Sequence, residues 1–475
     1  MLFNSVAFFA FAALFFAVWP LVCARKGARL ATIAVASLVF YGFWDPRYVL
    51  VLLGTGLADF TFGLAMERYP NRKRWLLAAS LTLNLGALFA FKYSGFFART
   101  VDSAFGHFGT STHLAAALPT FLRVLPPGIS FYTFQSMSYT IDIYKGRLKP
   151  TRSLLHFVAF ISMFPQLVAG PIVRAKDLLP ALEEHRAPSP EVRFGALSMI
   201  VFGYFKKVVV ADHLAATVES IYAAPGGSSS LLYWLATLMF AIQIYFDFSG
   251  YSDIARGLAR FMGYEFPLNF DHPYTARSMR EFWQRWHISL STWFRDYVYL
   301  PLGGNRTHGT RNLWITMVLS GLWHGASFTF LCWGAWHALL LTVERLTKWP
   351  ERAATSSVGR VVAAPVIFLL TLVGWVFFRA GTMAKAAWIL RTMFMQIPNA
   401  RDFVLLPSYV PIFFLGVGIA AEIAFVKASR RSESQKDQAS PGQLWGFLRP
   451  LGLAAMIAIC IYFRGPGTAF IYFQF

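Results

Sequence analysis

The chain has 475 residues, of which 56% are apolar (AVILMFWYC) and 14% charged. Soluble domains carry about 25% charged residues, so this composition excludes an ordinary globular protein and a disordered chain; the long apolar runs do not alternate as a transmembrane β-barrel requires. The 43 Lys and Arg against 23 Asp and Glu give a formal charge of +20, and because the basic residues are spread over short loops they read as the positive-inside bias of a membrane protein, not as a nucleic-acid surface.

The expected fold class is all-α, a polytopic transmembrane protein of about 11 spans with added re-entrant and interfacial helices. Leu2–Ala24 reads as an uncleaved first span with its N-terminus outside, because Arg25, Lys26 and Arg29 follow it at once. Further spans are expected at Leu30–Trp44, Tyr48–Met66 and Trp75–Phe97, with Arg68, Arg72, Lys73 and Arg74 in a cytoplasmic loop. Gly128–Tyr144 is mildly apolar and is followed by the basic residues Lys145, Arg147, Lys149 and Arg152. Leu154–Val173 contains Pro165, Gly170 and Pro171, which predicts an irregular or re-entrant end.

Gly195–Val210 is apolar but carries Lys206 and Lys207, and Leu231–Phe246 runs straight into Asp247, Ser249, Tyr251, Ser252 and Asp253. Asn269–Arg311 is basic, aromatic and amphipathic, and is not a span. Asn312–Arg345 is a continuous apolar region long enough for two short helices. Spans follow at Val361–Phe378, Phe403–Val426 and Phe447–Phe463, with an interfacial helix at Met383–Met395 and a hydrophilic cytoplasmic loop at Ser429–Gln443. No internal repeat of fixed period is present. The organisation expected is one membrane-embedded domain, with helices over 1–124, a core over 125–345 and further helices over 346–475. Cys23, Cys332 and Cys460 lie in or beside apolar runs without ligand spacing, so neither a disulfide framework nor a metal site is expected.

Ionisable residues in apolar segments are costly and mark candidate sites. His324, in Leu319–Ser327, leads. On a helix starting at Asn312 it lies about 18 Å along the axis, near the middle of a hydrocarbon core about 30 Å thick. An imidazole there is either a hydrogen-bonded core residue or a general base. Gly321 and Gly325 leave room for a ligand or another backbone, and Ser320 and Ser327 offer polar partners, which favours the base. Burial should keep it neutral, as a base requires.

His287 is second. Trp283, Trp286, Leu290 and Trp293 around it fall on one helical stripe, which fits an interfacial helix with His287 on its polar edge as well as it fits a functional role. His337 lies about 220° around the axis from His324 on an unbroken helix and is expected to be structural. His272 is expected in a loop. Gly303-Gly304-Asn305-Arg306 could hold a phosphate, though the pattern alone is weak. From charge alone, Arg295, Arg306 and Arg311 are candidates for drawing in the phosphates of a nucleotide-bearing donor.

Trp283–Gly304 reads WQRWHISLSTWFRDYVYLPLGG and Leu319–Gly325 reads LSGLWHG. Upstream stand LPPGISFYTFQSMSYTIDIY (Leu125–Tyr144), FPQLVAGPIVR (Phe164–Arg174) and YFDFSGYSDIARG (Tyr245–Gly257), and FIYFQF covers Phe470–Phe475. Together these resemble the membrane-bound O-acyltransferase (MBOAT) family, in its bacterial polysaccharide O-acetylation branch. The resemblance implies a ring of tilted helices around a central tunnel in the bacterial inner membrane. It implies that His324 is the catalytic histidine and His287 the second tunnel histidine. It implies cytosolic acetyl-CoA as donor substrate, with no permanently bound cofactor and no nucleic acid, and a periplasmic acetyltransferase partner that completes transfer to a glycan acceptor such as alginate. Direct transfer and transfer through an acyl-His324 intermediate both fit. D-alanyl transfer to teichoic acid, and O-acetylation of peptidoglycan or cellulose, are alternatives within the framework; a non-catalytic acyl-group transporter or an export scaffold are alternatives outside it.

Overall fold

The computed structural model describes all residues except 111, 169, 224–228, 397–408, 435–442 and 474–475; for 428–434, 443–448 and 473 it describes the backbone alone. Among the described residues every regular element is helical. The chain packs as two compact units, residues 1–194 with 258–267, and residues 195–257 with 268–475.

The first unit contains α1 (Val6–Val22), α2 (Lys26–Gly42), α3 (Arg47–Arg68), α4 (Lys73–Leu88), α5 (Ser94–His107), α6 (Ile129–Tyr144) and α7 (Leu154–Ser162). A buried polar knot joins α3, α4 and α6. Asp59, fully buried, accepts hydrogen bonds from Ser80 Oγ at 2.6 Å, from Asn84 Nδ2 at 2.7 Å and from Ser136. A buried carboxylate is tolerable only when so satisfied. The expected irregular end of Leu154–Val173 is present: α7 stops at Ser162, and a four-residue helix Phe164–Leu167 follows.

The second unit is built on α8 (Pro190–Tyr204, whose first residues belong to the other unit), α9 (Asp212–Ala223), α10 (Ser230–Phe261), α11 (Met279–Arg285), α12 (Ile288–Phe294), α13 (Gly309–His324), α14 (Phe328–Thr347), α15 (Ser357–Ala380), α16 (Met383–Met395), α17 (Tyr409–Ser434) and α18 (Gln443–Tyr462). A π-helical turn, Phe205–Ala211, links α8 to α9. The hydrophilic stretch expected as a loop over Ser429–Gln443 starts as helix, since α17 runs through Ser434; residues 435–442, and the expected span start at Phe403, lie outside the described residues.

Among the described residues six helical stretches are long and apolar enough to cross a membrane: Arg47–Arg68, Pro70–His107, Pro190–Ala223, Ser230–Phe261, Ser357–Ala380 and Tyr409–Lys427. Val6–Val22 and Arg449–Tyr462 are apolar but shorter. The chain is an all-α membrane protein. Other apolar runs are interrupted. Asn312–Arg345 is one, cut at Gly325–Ser327 into the helical hairpin α13–α14.

That hairpin closes on glycine. A Cβ on Gly321 would stand 2.2 Å from the Phe330 carbonyl oxygen, and one on Gly334 2.4 Å from the Met317 carbonyl oxygen. Neither backbone atom can move aside, so only glycine lets the two helices touch. Replacing Gly334 with Val should therefore cost at least about 1–3 kcal/mol, read as a lower thermal unfolding midpoint in detergent. Gly86, which has open space around it, should tolerate Ala with unchanged or slightly raised stability; equal midpoints for both variants would contradict this account of the hairpin.

Candidate active site

The site forms where helices break. Trp283 to Trp293 does not make the single amphipathic helix expected from the tryptophan spacing. The chain is helical over the seven residues of α11 and the seven of α12, and His287 between them takes the left-handed conformation, φ +43°. That conformation is uncommon for a residue other than glycine. The polar backbone exposed by the break is paired: Arg285 O accepts from Asp271 N at 2.9 Å, Ile288 N donates to Asn269 O at 2.9 Å, and His287 O accepts from Ser291 N at 2.9 Å. Asn269 adds its side chain, accepting from Ser289 N at 3.2 Å and from Ser289 Oγ at 2.9 Å. The break turns His287 inward to zero exposure, so it does not sit on the polar edge of an interfacial helix.

His324 is the last residue of α13 and is 2% exposed. The room that Gly325 leaves is occupied from within the hairpin, because a Cβ there would stand 2.1 Å from the Phe330 ring. Ser327 caps α14 by accepting from Thr329 N at 3.3 Å. His324 is instead walled by rings: Trp333 at 4.9 Å, Trp323 at 5.0 Å, Phe378 at 5.3 Å and Tyr472 at 5.5 Å between centroids. His287 lies at 6.1 Å. Phe248 packs edge-on to His287 at 4.6 Å, and Tyr472 stands 6.3 Å from it. Two imidazoles thus share one buried aromatic enclosure.

His337 departs from the expectation that it points away from His324. That expectation assumed one unbroken helix. The cut at Gly325–Ser327 puts the two histidines on different helices, and both pack on Trp333, at 4.9 Å and 4.8 Å. His272 does sit in a turn, φ +46°, but also pairs through Nδ1 with Glu422 Oε1 at 2.9 Å, which accepts from Tyr245 Oη at 3.2 Å.

Burial lowers the His287 imidazole to about 3. His287 lies outside every helix long enough to span, and at neutral pH it is an uncharged donor–acceptor, not a cation.

The three arginines are not in the enclosure with the histidines. Arg295 pairs with Asp296 at 2.7 Å and is 59% exposed. Arg306 is exposed in the glycine turn, where Asn312 Nδ2 donates to the carbonyls of Leu302, Gly304 and Thr307. Arg311 opens α13, thirteen residues before His324, or about 20 Å along the axis. Among the described residues no group of His, Cys, Asp and Glu could hold a metal ion.

The sequence reading missed Trp333, Phe378 and Tyr472 as walls of the site. It also missed a buried ion cluster in the same unit, Lys207 between Asp212 at 2.8 Å and Asp247 at 3.0 Å. A signal was present: Lys207 and Asp247 each interrupt an apolar run, and opposite charges in such runs tend to find each other.

A neutral imidazole beside a second one, in a buried aromatic enclosure within a membrane protein, suits proton transfer from a hydroxyl during acyl transfer. The sequence profile of the membrane-bound O-acyltransferase family matches residues 144–380, which contain both histidines. A probable alginate O-acetylase (AlgI) of Pseudomonas putida is 40% identical over 88% of this chain and 87% of its own length. The probable alginate O-acetylase of Pseudomonas aeruginosa is 40% identical over 82% of this chain and 74% of its own. A peptidoglycan O-acetyltransferase of Helicobacter pylori is 35% identical over 76% and 73%. The chain belongs to the membrane-bound O-acyltransferase family and is an O-acyltransferase.

Residues that act as one unit lose activity together and not multiplicatively. Adding His287→Ala to His324→Ala should therefore lower kcat/KM for acyl transfer little beyond the worse single variant. Losses that multiply in a double-mutant cycle would show that the two imidazoles act independently of each other.

Proposed function

We propose that the protein moves an acetyl group from cytosolic acetyl-CoA across the bacterial inner membrane for O-acetylation of an exported polysaccharide such as alginate, handing it to a periplasmic acetyltransferase partner. The observation that carries this reading is the pair of buried imidazoles at 6.1 Å in the family's matched region. The relatives named for O-acetylation, which align over most of this chain, support the acetyl group and the glycan acceptor.

His324 acts as the general base. It takes the proton of an acceptor hydroxyl as the oxygen attacks the thioester carbonyl. When the carbon–sulfur bond breaks, the proton goes to the departing thiolate, so acetyl ester and CoA thiol are the products. The C-terminal end of a helix carries partial negative charge, and His324 ends α13. The imidazolium formed in passing is stabilised there. Neutral His287 donates to the oxygen that gains charge in the tetrahedral transition state. The enclosing rings keep water from the thioester. Arg306 and Arg311, exposed at the far end of α13, attract the phosphates of CoA electrostatically, and Arg295 contributes to the same positive surface while tied to Asp296.

The test compares labelled acetate in exported and envelope glycans of three strains: wild type, a deletion, and the deletion carrying His324→Ala at matched membrane abundance. Losing a general base costs about 10²–10⁴-fold. One glycan fraction should lose its label in both altered strains, and that fraction is the acceptor. Label retained with His324→Ala but lost in the deletion would make the protein a scaffold or transporter for the transfer instead of its catalyst.

A further inference from the structure

Residues 464–473 follow α18 and carry little regular structure, yet they deliver Tyr472 to both histidines. An apolar stretch such as Phe470–Tyr472 can slide along an aromatic wall, because ring packing alone is weakly directional. What fixes its register is polar. Gly465 N donates to Val208 O at 2.8 Å. Lys207 Nζ donates to Thr468 O at 3.1 Å and to Thr468 Oγ1 at 3.4 Å, and Thr468 Oγ1 donates to Asp212 Oδ1 at 2.5 Å. Ile471 N donates to Asp247 Oδ2 at 2.9 Å. The three charged side chains are at most 2% exposed.

The cluster is built by the backbone around it. The π-helical turn Phe205–Ala211 reorients Lys207 relative to α8. Close contact of α8 with α10 needs glycine on both sides: a Cβ on Gly203 would stand 2.6 Å from the Gly250 carbonyl oxygen, and one on Gly250 2.7 Å from that of Gly203. Within that contact, Lys206 pairs with Asp253 at 2.6 Å and Lys207 with Asp247. Asp247 and its neighbour Phe248 then work in sequence. Asp247 holds the Ile471 amide, and Phe248 holds the Tyr472 ring at 4.4 Å and the His287 ring at 4.6 Å. One step of chain connects the ion cluster to the reaction site.

We propose that Lys207, Asp212 and Asp247 form a register clamp on residues 465–471, and that its task in the reaction is to hold Tyr472 as the wall between His287 and His324. The three are positioning residues, since they touch neither histidine directly and act through the clamped segment. Burying three charges to hold three backbone and hydroxyl groups is expensive compared with apolar packing, and its return is a single register. The inference rests on the acetyl-transfer reading for its activity arm alone.

The experiment uses the full chain in lipid nanodiscs, with hydrogen exchange of the peptide covering 465–472 measured beside acetyl transfer from labelled acetyl-CoA. Thr468→Val removes one hydroxyl at nearly constant shape, Thr468→Ser keeps it, and Lys207→Met empties the clamp. Thr468→Val and Lys207→Met should speed exchange in 465–472 while the peptide 309–324 keeps its protection. They should lower kcat on the order of 10–100-fold, as misplacement by about an ångström does, with KM for acetyl-CoA unchanged. Thr468→Ser should behave as wild type. Unchanged exchange in both clamp variants would overturn the proposal, and so would faster exchange with full kcat. A wild type without transfer from acetyl-CoA would refute the donor assignment, and the exchange arm would still decide whether the clamp exists. Should Lys207→Met fail to fold, Thr468→Val alone decides.

Discussion

Backbone amides and carbonyls buried away from water must all be paired, and this constraint governs where a helical membrane protein can interrupt its helices. The site lies at two such interruptions. At His287 the residues 269–271 supply the missing partners. At Gly325–Ser327 the chain turns back and Ser327 caps the next helix. One break begins a helix at His287 and the other ends a helix at His324, and both imidazoles are buried.

The enclosure then sets the chemistry. Trp323, Trp333, Phe378 and Tyr472 pack around the His324 ring. The C-terminal end of α13, where His324 sits, carries the partial negative charge of the helix dipole. The tight glycine contacts of α13 with α14 hold this geometry. Small residues let backbones approach in membrane proteins, where apolar packing alone cannot drive helices together. The polar devices, the Asp59 knot in one unit and the Lys207 cluster in the other, fix register where apolar surfaces would slide.

Much of this was legible in the sequence. The apolar runs located most helices, Pro165 with Gly170 signalled the interrupted end of Leu154–Val173, and the long motifs around His287 and His324 gave the family. Periodicity failed at the site itself. Trp283, Trp286, Leu290 and Trp293 keep helical spacing across a break that a left-handed histidine makes, and nothing in composition marks His287 as the residue that tolerates φ +43°. His337 was misplaced for the same reason, because a 13-residue separation gives an angle only on a continuous helix. Tyr472 was out of reach of any local pattern, since it meets His324 from 148 positions away in the chain. The arginines were chosen by charge alone, and charge does not tell which end of a helix a residue occupies; Arg311 stands at the opposite end of α13 from His324.

The central claim is that His324 performs proton transfer in an acetyl transfer from CoA. The most direct measurement is a single-turnover assay of the purified chain in proteoliposomes, with labelled acetyl-CoA outside and the release of free CoA followed by rapid quench. The account expects CoA release with the wild-type chain and a loss of about 10²–10⁴-fold with a folded, normally inserted His324→Ala protein. Equal rates for the two proteins would contradict it.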